Sequence, residues 1–369
     1  MFEAVIAVCL TVAGGPCRDQ LLPGYEAPTE ALCLAALAAR PPVVEAGLEA
    51  DGAPVCQPMG EVLDFEEVAE GVFVHMGLIE EPNRANRGDV SNIGFVVGGQ
   101  SVAVIDAGTA PWMGEGVWRA IRARTDKSVS LVILTHMHPD HVLGASALVR
   151  GGATVVGHTA LPRAFADRRD NYVESLERLI GPEAMLGAGA VPVDVTVEDK
   201  AEIDLGGRVL ELRAWPVAHT VADLTVLDQE TGTLFAGDLV FHRHLPALDG
   251  RLLGWQAVLK EMSGLEIARV VPGHGGPVLD WPAGGADQQR YLDVLEADTR
   301  AAIDAGQRLG EAVEGIAQSE APLWELFEAY NPRNATVAFT ELEWDNGRLS
   351  PDPAPPVATS ARWKTGGVR

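Results

Sequence analysis

One stretch constrains this chain more than any other: Leu131-Val132-Ile133-Leu134-Thr135-His136-Met137-His138-Pro139-Asp140-His141. The run Val129 to Leu134 is apolar and rich in β-branched residues, which predicts a strand buried on both faces. It stops at a turn that carries three imidazoles and a carboxylate within six positions. A helix-like run follows from Val142 to Val149, and Gly151-Gly152 marks its C-terminus. Side chains that can ligate metal therefore crowd the carboxyl end of a strand, where open α/β sheets place their sites.

A tight turn can aim His136 and His138 at one point while Asp140 and His141 face a second point nearby. Neutral imidazole and carboxylate are the donors that hold divalent zinc, manganese or iron. A lone histidine is more often a hydrogen-bonded structural residue. Four such residues in this pattern favour a metal site instead.

The pattern His136-x-His138-x-Asp140-His141 resembles the signature of the metallo-β-lactamase superfamily. Four further segments of that resemblance follow in order. An acidic turn after a strand is Ser101-Val102-Ala103-Val104-Ile105-Asp106-Ala107-Gly108, and a third histidine comes from Pro216-Val217-Ala218-His219-Thr220. A carboxylate stands in Leu234-Phe235-Ala236-Gly237-Asp238, and a last histidine in Val270-Val271-Pro272-Gly273-His274-Gly275.

The resemblance implies an α/β fold, a four-layer αββα sandwich, with a small N-terminal α/β module added. It implies that His136, His138 and His219 hold one metal, that Asp140, His141 and His274 hold another, and that Asp238 bridges them. That is the dinuclear pattern of glyoxalase-II-like members. The best-known β-lactamase branch uses a cysteine in the second site, and here Asp238 stands in the corresponding segment. This departure speaks against antibiotic hydrolysis. The donors are all nitrogen and oxygen, so the expected cofactor is Zn2+, two per chain, with iron or manganese also compatible.

Two cations at such a site can share a hydroxide and polarise a carbonyl, so no side-chain nucleophile is required. Asp140 is the catalytic candidate, orienting the hydroxide and shuttling its proton. Asp106 has two readings, partner to a ligand histidine or strand-end turn former. His158 is read as a pocket or orienting residue, and His242 and His244 as substrate contacts or surface groups. His75 reads as structural. Arg163, Arg168 and Arg169 beside Tyr172 suit a substrate carboxylate, but the interleaved Asp167 and Asp170 favour a plain exposed helix face.

The chain has 369 residues, enough for a full core and two or three modules. Hydrophobic residues make up 47%, with no apolar run long enough to span a bilayer. A net charge of −24 repels phosphate backbones, so nucleic acid is not expected as a partner. A small-molecule substrate is.

All four cysteines, Cys9, Cys17, Cys33 and Cys56, precede residue 57 and form no C-x-x-C pair. Two disulfides and four reduced thiols are both open readings. Ala4 to Ala13 is apolar, yet Glu3 stands where a signal peptide carries basic residues. The expectation there is a first strand, and the compartment stays open.

In order, residues 1–60 read as a small cysteine-containing module with a helix from Thr29 to Arg40. Residues 61–285 read as the catalytic domain, 286–349 as a helical extension and 350–369 as a disordered tail. Strands are expected at Val72 to His75, Ile93 to Val97, Val102 to Ile105, Thr154 to Gly157, Val209 to Ala214, Leu224 to Leu227 and Leu234 to Ala236. Helices are expected at Trp112 to Arg124, around Leu161 to Ile180, and from Asp287 to Gln318.

A narrower resemblance rests on Cys17-Arg18-Asp19, Leu22-Pro23-Gly24-Tyr25, Asn92-Ile93-Gly94-Phe95 and Asn331-Pro332-Arg333-Asn334-Ala335-Thr336. These segments are similar to the quinoprotein relay system zinc metallohydrolases of bacteria. That similarity alone implies a quinoprotein or cytochrome partner and a periplasmic setting. The functional expectation is a metallo-hydrolase acting on an ester, thioester or amide-like bond of a small anionic substrate. The alternatives are a β-lactamase, an iron-dependent enzyme of sulfur compounds, and a non-catalytic metal-binding accessory protein.

Overall fold

The computed structural model describes residues 1–12, 14–189 and 192–345, and the backbone of 361–364. Two seven-stranded sheets form its centre. In the first, the strand order is Val195–Val197, Thr154–His158, Ser128–Leu134, Ser101–Ile105, Ile93–Val97, Val72–His75, Glu66–Ala69. The second runs Leu279–Asp280, Arg269–His274, Thr233–Phe241, Leu224–Asp228, Val209–Ala214, Lys200–Asp204, Ala361–Lys364.

The layering follows from side-chain alternation along each strand. Leu131 and Ile133 join the core between the two sheets, while Val132 and Leu134 join the core under the outer helices. Ser101–Ile105 divides the same way, with Ala103 and Ile105 inward and Val102 and Val104 outward. On the second sheet Phe235 and Val271 face the first, whereas Leu234, Ala236 and Val270 face helices. A strand sandwiched in this manner is apolar at every position, which is why periodicity alone left its two faces indistinguishable. The helices Pro111–Arg122 and Arg169–Ile180 cover the first sheet, and Leu252–Met262, Ala286–Asp304 and Phe327–Glu343 cover the second. The result is the αββα order.

The N-terminal segment builds its own sheet. Phe2–Leu10 pairs antiparallel with Cys17–Ala27, Leu48–Ala50 and Val55–Pro58, so the apolar start of the chain is a strand. The helix Glu30–Ala39 packs on it, with the Thr29 side chain capping the Leu32 N–H. Cys9 is bonded to Cys17 and Cys33 to Cys56, which selects the paired reading of the cysteines.

Three elements differ from the sequence expectation. The helix expected from Asp287 to Gln318 ends at Asp304, because Gly306 takes a left-handed φ of 71° and closes it. The insertion around Leu161 to Ile180 is two helices, Leu161–Ala166 and Arg169–Ile180, broken at Asp167-Arg168. Within the expected tail, Ala361–Lys364 pairs parallel with Lys200–Asp204 and adds a strand at the edge of the second sheet. Residues 350–360 and 365–369 of that expectation lie outside the described residues.

Candidate metal centre

Seven side chains converge where the carboxyl ends of both sheets meet. His136, His138, His219 and Asp238 form one group, and Asp140, His141 and His274 form another, with the donor atoms of each group within 4.8 Å of one another. His138 Nδ1 lies 3.1 Å from His136 Nε2 and 3.0 Å from His219 Nε2. Asp238 stands between the groups: Oδ2 is 3.5 Å from His136 Nε2 and 3.4 Å from both His219 and His274, while Oδ1 is 3.1 Å from His141 Nε2. Asp140 Oδ2 lies 3.2 Å from His274 Nε2.

Each of the five imidazoles is held by its outer nitrogen. His141 Nδ1 donates to Asp106 Oδ2 at 2.8 Å, His219 Nδ1 to the Ala247 carbonyl at 2.6 Å, and His274 Nδ1 to the Val90 carbonyl at 2.8 Å. His138 Nε2 donates to Asp249 Oδ2 at 3.1 Å. The Thr135 hydroxyl gives its proton to Asp106 Oδ2 at 2.8 Å and so receives His136 Nδ1 at 3.0 Å. Oxygen acceptors on the outside fix the tautomers and leave five inner nitrogens as bare lone pairs facing one another. Such an arrangement repels itself unless a cation sits among the lone pairs. Asp238 Oδ1 points the same way, buried without a hydrogen bond of acceptable geometry. The residues therefore fit divalent metal.

Electrostatics agree. With no metal among them, two of the five imidazoles would take up a proton in its place: burial by itself would lower His274, yet Asp238 and Asp140 raise it to about 10, and burial is likewise overcome at His141 by Asp238 and Asp106. Burial keeps His219 neutral, down to about 3, and holds His136 well below its usual value. Burial opposes ionisation of Asp238, but the facing imidazoles hold its carboxyl well below the usual range. The centre draws positive charge.

Local backbone explains the glycines beside these residues. Gly237 has a φ of 52°, and a Cβ there would stand 2.6 Å from Thr135 Oγ1. A Cβ on Gly273 would stand 2.0 Å from Asp238 Oδ1, in the space the carboxylate needs. Asn92 ties the halves together: its Nδ2 donates to the Pro272 and Gly275 carbonyls at 2.8 and 2.7 Å, and its Oδ1 accepts from the Gly77 N–H at 3.0 Å. Ser91 Oγ donates to the Asp140 carbonyl at 2.5 Å.

The centre opens into a cavity of about 440 Å³. His138, Asp140, Asp238 and His274 form its floor, and Glu80, Glu81, Arg168, Tyr172, His244, Asp249, Tyr330 and Arg333 stand on its walls. Arg168 and Tyr172 thus face the cavity, against the expectation of a plain exposed helix face, while Arg163 and Arg169 are exposed and paired with Asp167 and Asp170. His244 is buried and held neutral, near 4, chiefly by burial and then by His274; its Nδ1 donates to the Leu245 carbonyl at 2.6 Å.

Two of the candidate histidines stand apart from the cavity lining. His158 accepts from the Ala160 N–H at 2.9 Å and bonds the Trp215 backbone, and it does not line the cavity. His242 turns its Nδ1 to the Gly276 carbonyl at 2.7 Å, away from the cavity. His75 bridges the Asp64 carbonyl and Asp89 Oδ1, each at 2.8 Å.

Sequence reasoning missed Thr135 and Asp249 as histidine supports, and the helix Phe327–Glu343 as a cavity wall. A single threonine or loop aspartate carries no pattern. Asn334, on that helix, clamps the loop by bonding the Leu248 N–H at 2.8 Å and the Pro246 carbonyl at 2.6 Å.

The description of the metallo-beta-lactamase superfamily matches residues 86–274, just over half of the chain, and the chain belongs to that superfamily. Members of that superfamily typically hold divalent metals, often zinc, and the His/Asp groups present here are donors of that kind. "Beta-lactamase-like protein 2 homolog" of Caenorhabditis elegans is 26% identical over 162 residues, 44% of this chain and 47% of that protein. "Linear primary-alkylsulfatase" of a Pseudomonas species is 26% identical over 156 residues, 40% of this chain and 28% of that protein. The chain thus spans less than half the length of either curated relative. Among solved structures, a metallo-beta-lactamase from Pontibacter korlensis aligns with TM-score 0.51 at 20% identity, over 63% of this chain and 99% of that one. A sec-alkylsulfatase from Pseudomonas aligns with TM-score 0.56 at 14% identity, over 78% of this chain and 52% of that one. At these identities the likeness is one of fold.

Proposed function

We propose that this protein is a dinuclear zinc hydrolase that cleaves an ester, thioester or amide-like bond of a small anionic substrate. The observation that carries the reading is the set of five inward imidazole nitrogens, each fixed from outside, sharing one space with Asp140 and Asp238. His136, His138, His219, Asp140, His141, His274 and Asp238 would hold two divalent cations, which would lower the pKa of a bound water from about 15.7 toward 7 and polarise the bond to be cleaved.

The chain's own groups do the rest. Asp140 reaches the cavity floor with its carboxylate, where Oδ2 can take a proton from water and pass it to the leaving group. Asp238 balances the charge of both metal groups from between them. His244 donates through Nδ1, leaving Nε2 as an acceptor at the cavity wall. The cationic side chains Arg168 and Arg333 suit an anionic substrate in a protein whose net charge is −24. No cysteine lies near the centre, which disfavours the β-lactamase type of second site. The setting we propose, a bacterial quinoprotein oxidation system, rests on the resemblance of the short segments at Cys17, Leu22, Asn92 and Asn331 alone.

A second reading, hydrolysis of an alkyl sulfate ester, is favoured by the alkylsulfatase likeness together with the two arginines. One panel tests both: zinc-loaded protein against acyl thioesters, carboxylic esters, alkyl sulfates and a β-lactam at matched concentration, with and without chelator. Chelator-sensitive release from a thioester or carboxylic ester supports the first reading, and release from alkyl sulfates alone supports the second. Efficient β-lactam cleavage with no other turnover overturns both, as does turnover that survives metal removal.

A further inference from the structure

The five histidine supports are not equivalent. Thr135 and Asp106 are buried, and Ala247 and Val90 offer main-chain carbonyls that the backbone fixes. The fifth, Asp249, is a carboxylate on the cavity wall. Its Oδ2 accepts from His138 Nε2 at 3.1 Å and also from Arg168 Nη1. Exposure rises along this chain of contacts, from 17% for the His138 side chain to 30% for Asp249 and 42% for Arg168. A ligand in the cavity can therefore touch the support of one imidazole by way of Arg168.

Arg168 has capacity to spare. Its contacts to Asp249 and to Tyr172 Oη, the latter at 3.5 Å, both use Nη1. A guanidinium carries five N–H donors in a planar fork that matches oxyanions in pairs. The edge formed by Nε and Nη2 is used by neither contact. From Arg168 the helix Arg169–Ile180 runs on along the cavity and places Leu176 and Leu179 on its wall. At 1.5 Å per residue these lie about 12 and 16 Å beyond Arg168. Leu248 and Val337 add further apolar wall. A cation at one place and a hydrocarbon surface leading from it describe the binding site of an anion with an apolar chain.

We propose that Arg168 anchors the anionic head of an amphiphilic substrate and that Asp249 is a positioning residue coupling this anchor to His138. The Asp249 part rests on the metal reading given above; the Arg168 part does not. An oxyanion seated on Arg168 draws the guanidinium from Asp249 Oδ2, so that the carboxylate accepts more fully from His138 Nε2 and makes Nδ1 a better donor toward the centre.

The test uses the full chain and two titrations. Hexanesulfonate, whose carbon–sulfur bond resists hydrolysis, is titrated into metal-free and zinc-loaded protein by calorimetry. Zinc binding to metal-free protein is read by equilibrium dialysis. Arg168→Gln should weaken the sulfonate at least tenfold in both states and leave zinc within about threefold of wild type. Asp249→Asn should weaken one of two zinc ions by about 10–100-fold, with partial recovery in Asp249→Glu, which keeps the charge. Arg163→Gln, at an exposed pair, should leave both titrations unchanged. Equal sulfonate binding by wild type and Arg168→Gln, or no sulfonate binding by wild type, overturns the anchor. Wild-type zinc affinity in Asp249→Asn overturns the coupling. Absence of zinc binding in wild type would overturn the metal reading and the coupling with it, while the metal-free sulfonate titration still decides the role of Arg168.

Discussion

Asp106 Oδ2 lies 2.8 Å from His141 Nδ1, and Asp106 reaches it from a left-handed backbone conformation with a φ of 61°. Aspartate and asparagine tolerate that region better than other residues with a Cβ. The turn at the strand end and the support of the imidazole are thus one feature. The same carboxylate accepts from the Thr135 N–H and hydroxyl, each at 2.8 Å, so it also sets the start of the ligand turn.

Asp106→Asn keeps the backbone conformation but turns a donor toward either His141 or Thr135. Zinc affinity should fall about 10–100-fold, and the unpaired group should cost about 1–3 kcal/mol of stability. Equilibrium dialysis and urea unfolding in chelator check the two effects separately. Zinc binding within twofold of wild type would remove Asp106 from the support of the centre.

Metal content is the second expectation. Purified protein should carry about two zinc ions per chain by elemental analysis, and Asp238→Ala should lose one of them with most of the turnover. His75→Ala removes the link between the Asp64 carbonyl and Asp89 and should lower stability by about 1–3 kcal/mol while keeping both ions. Equal metal content in the two variants would break the residue assignment.

The buried pair Arg208–Asp228 gives a pH dependence away from the centre. Arg208 Nε and Nη2 bind the two carboxylate oxygens at 2.9 and 2.7 Å, with the side chains 6% and 0% exposed. Burial alone would raise the Asp228 carboxyl, but Arg208 and Thr231 outweigh it and bring it below the usual value. A carboxyl lowered by folding stabilises the folded state above its unfolded pKa of about 3.9, and this contribution is lost as pH falls through the folded value. Asp228→Ala strands the guanidinium and should cost about 3–5 kcal/mol at pH 7. Urea midpoints measured from pH 7 to pH 3 should fall less steeply in the variant than in wild type; parallel curves would contradict the linkage.

The disulfides Cys9–Cys17 and Cys33–Cys56 leave no free thiol in the chain. Thiol titration of denatured, non-reduced protein should find none in material from an oxidising compartment. Reduction should remove about 2–4 kcal/mol per bridge from the N-terminal module. Four titratable thiols in protein from its native compartment would indicate a reducing one.

The ligand turn, the strand before it and the family were legible in the order of residues because each is local. An unbroken apolar run, a strand end and closely spaced donors need no knowledge of distant chain. Asp106 could be marked as well, since a strand-end acidic turn is part of a short pattern. Which groups hold the outer nitrogens was not legible. Asp249 is 111 residues from His138, and Val90 is 184 from His274. Those partners are chosen when two sheets pack face to face, and any loop oxygen at the right height serves. Arg168 shows the same division. Its neighbours Asp167 and Asp170 made the segment look like solvated helix, yet the break between two helices turns that one arginine into the cavity. The residue order determined which donors this protein owns, because donor chemistry and spacing are covalent facts. Only the packing of the two sheets and the helix Phe327–Glu343 decided what confronts the donors, because the walls of the cavity come from segments that meet solely in three dimensions.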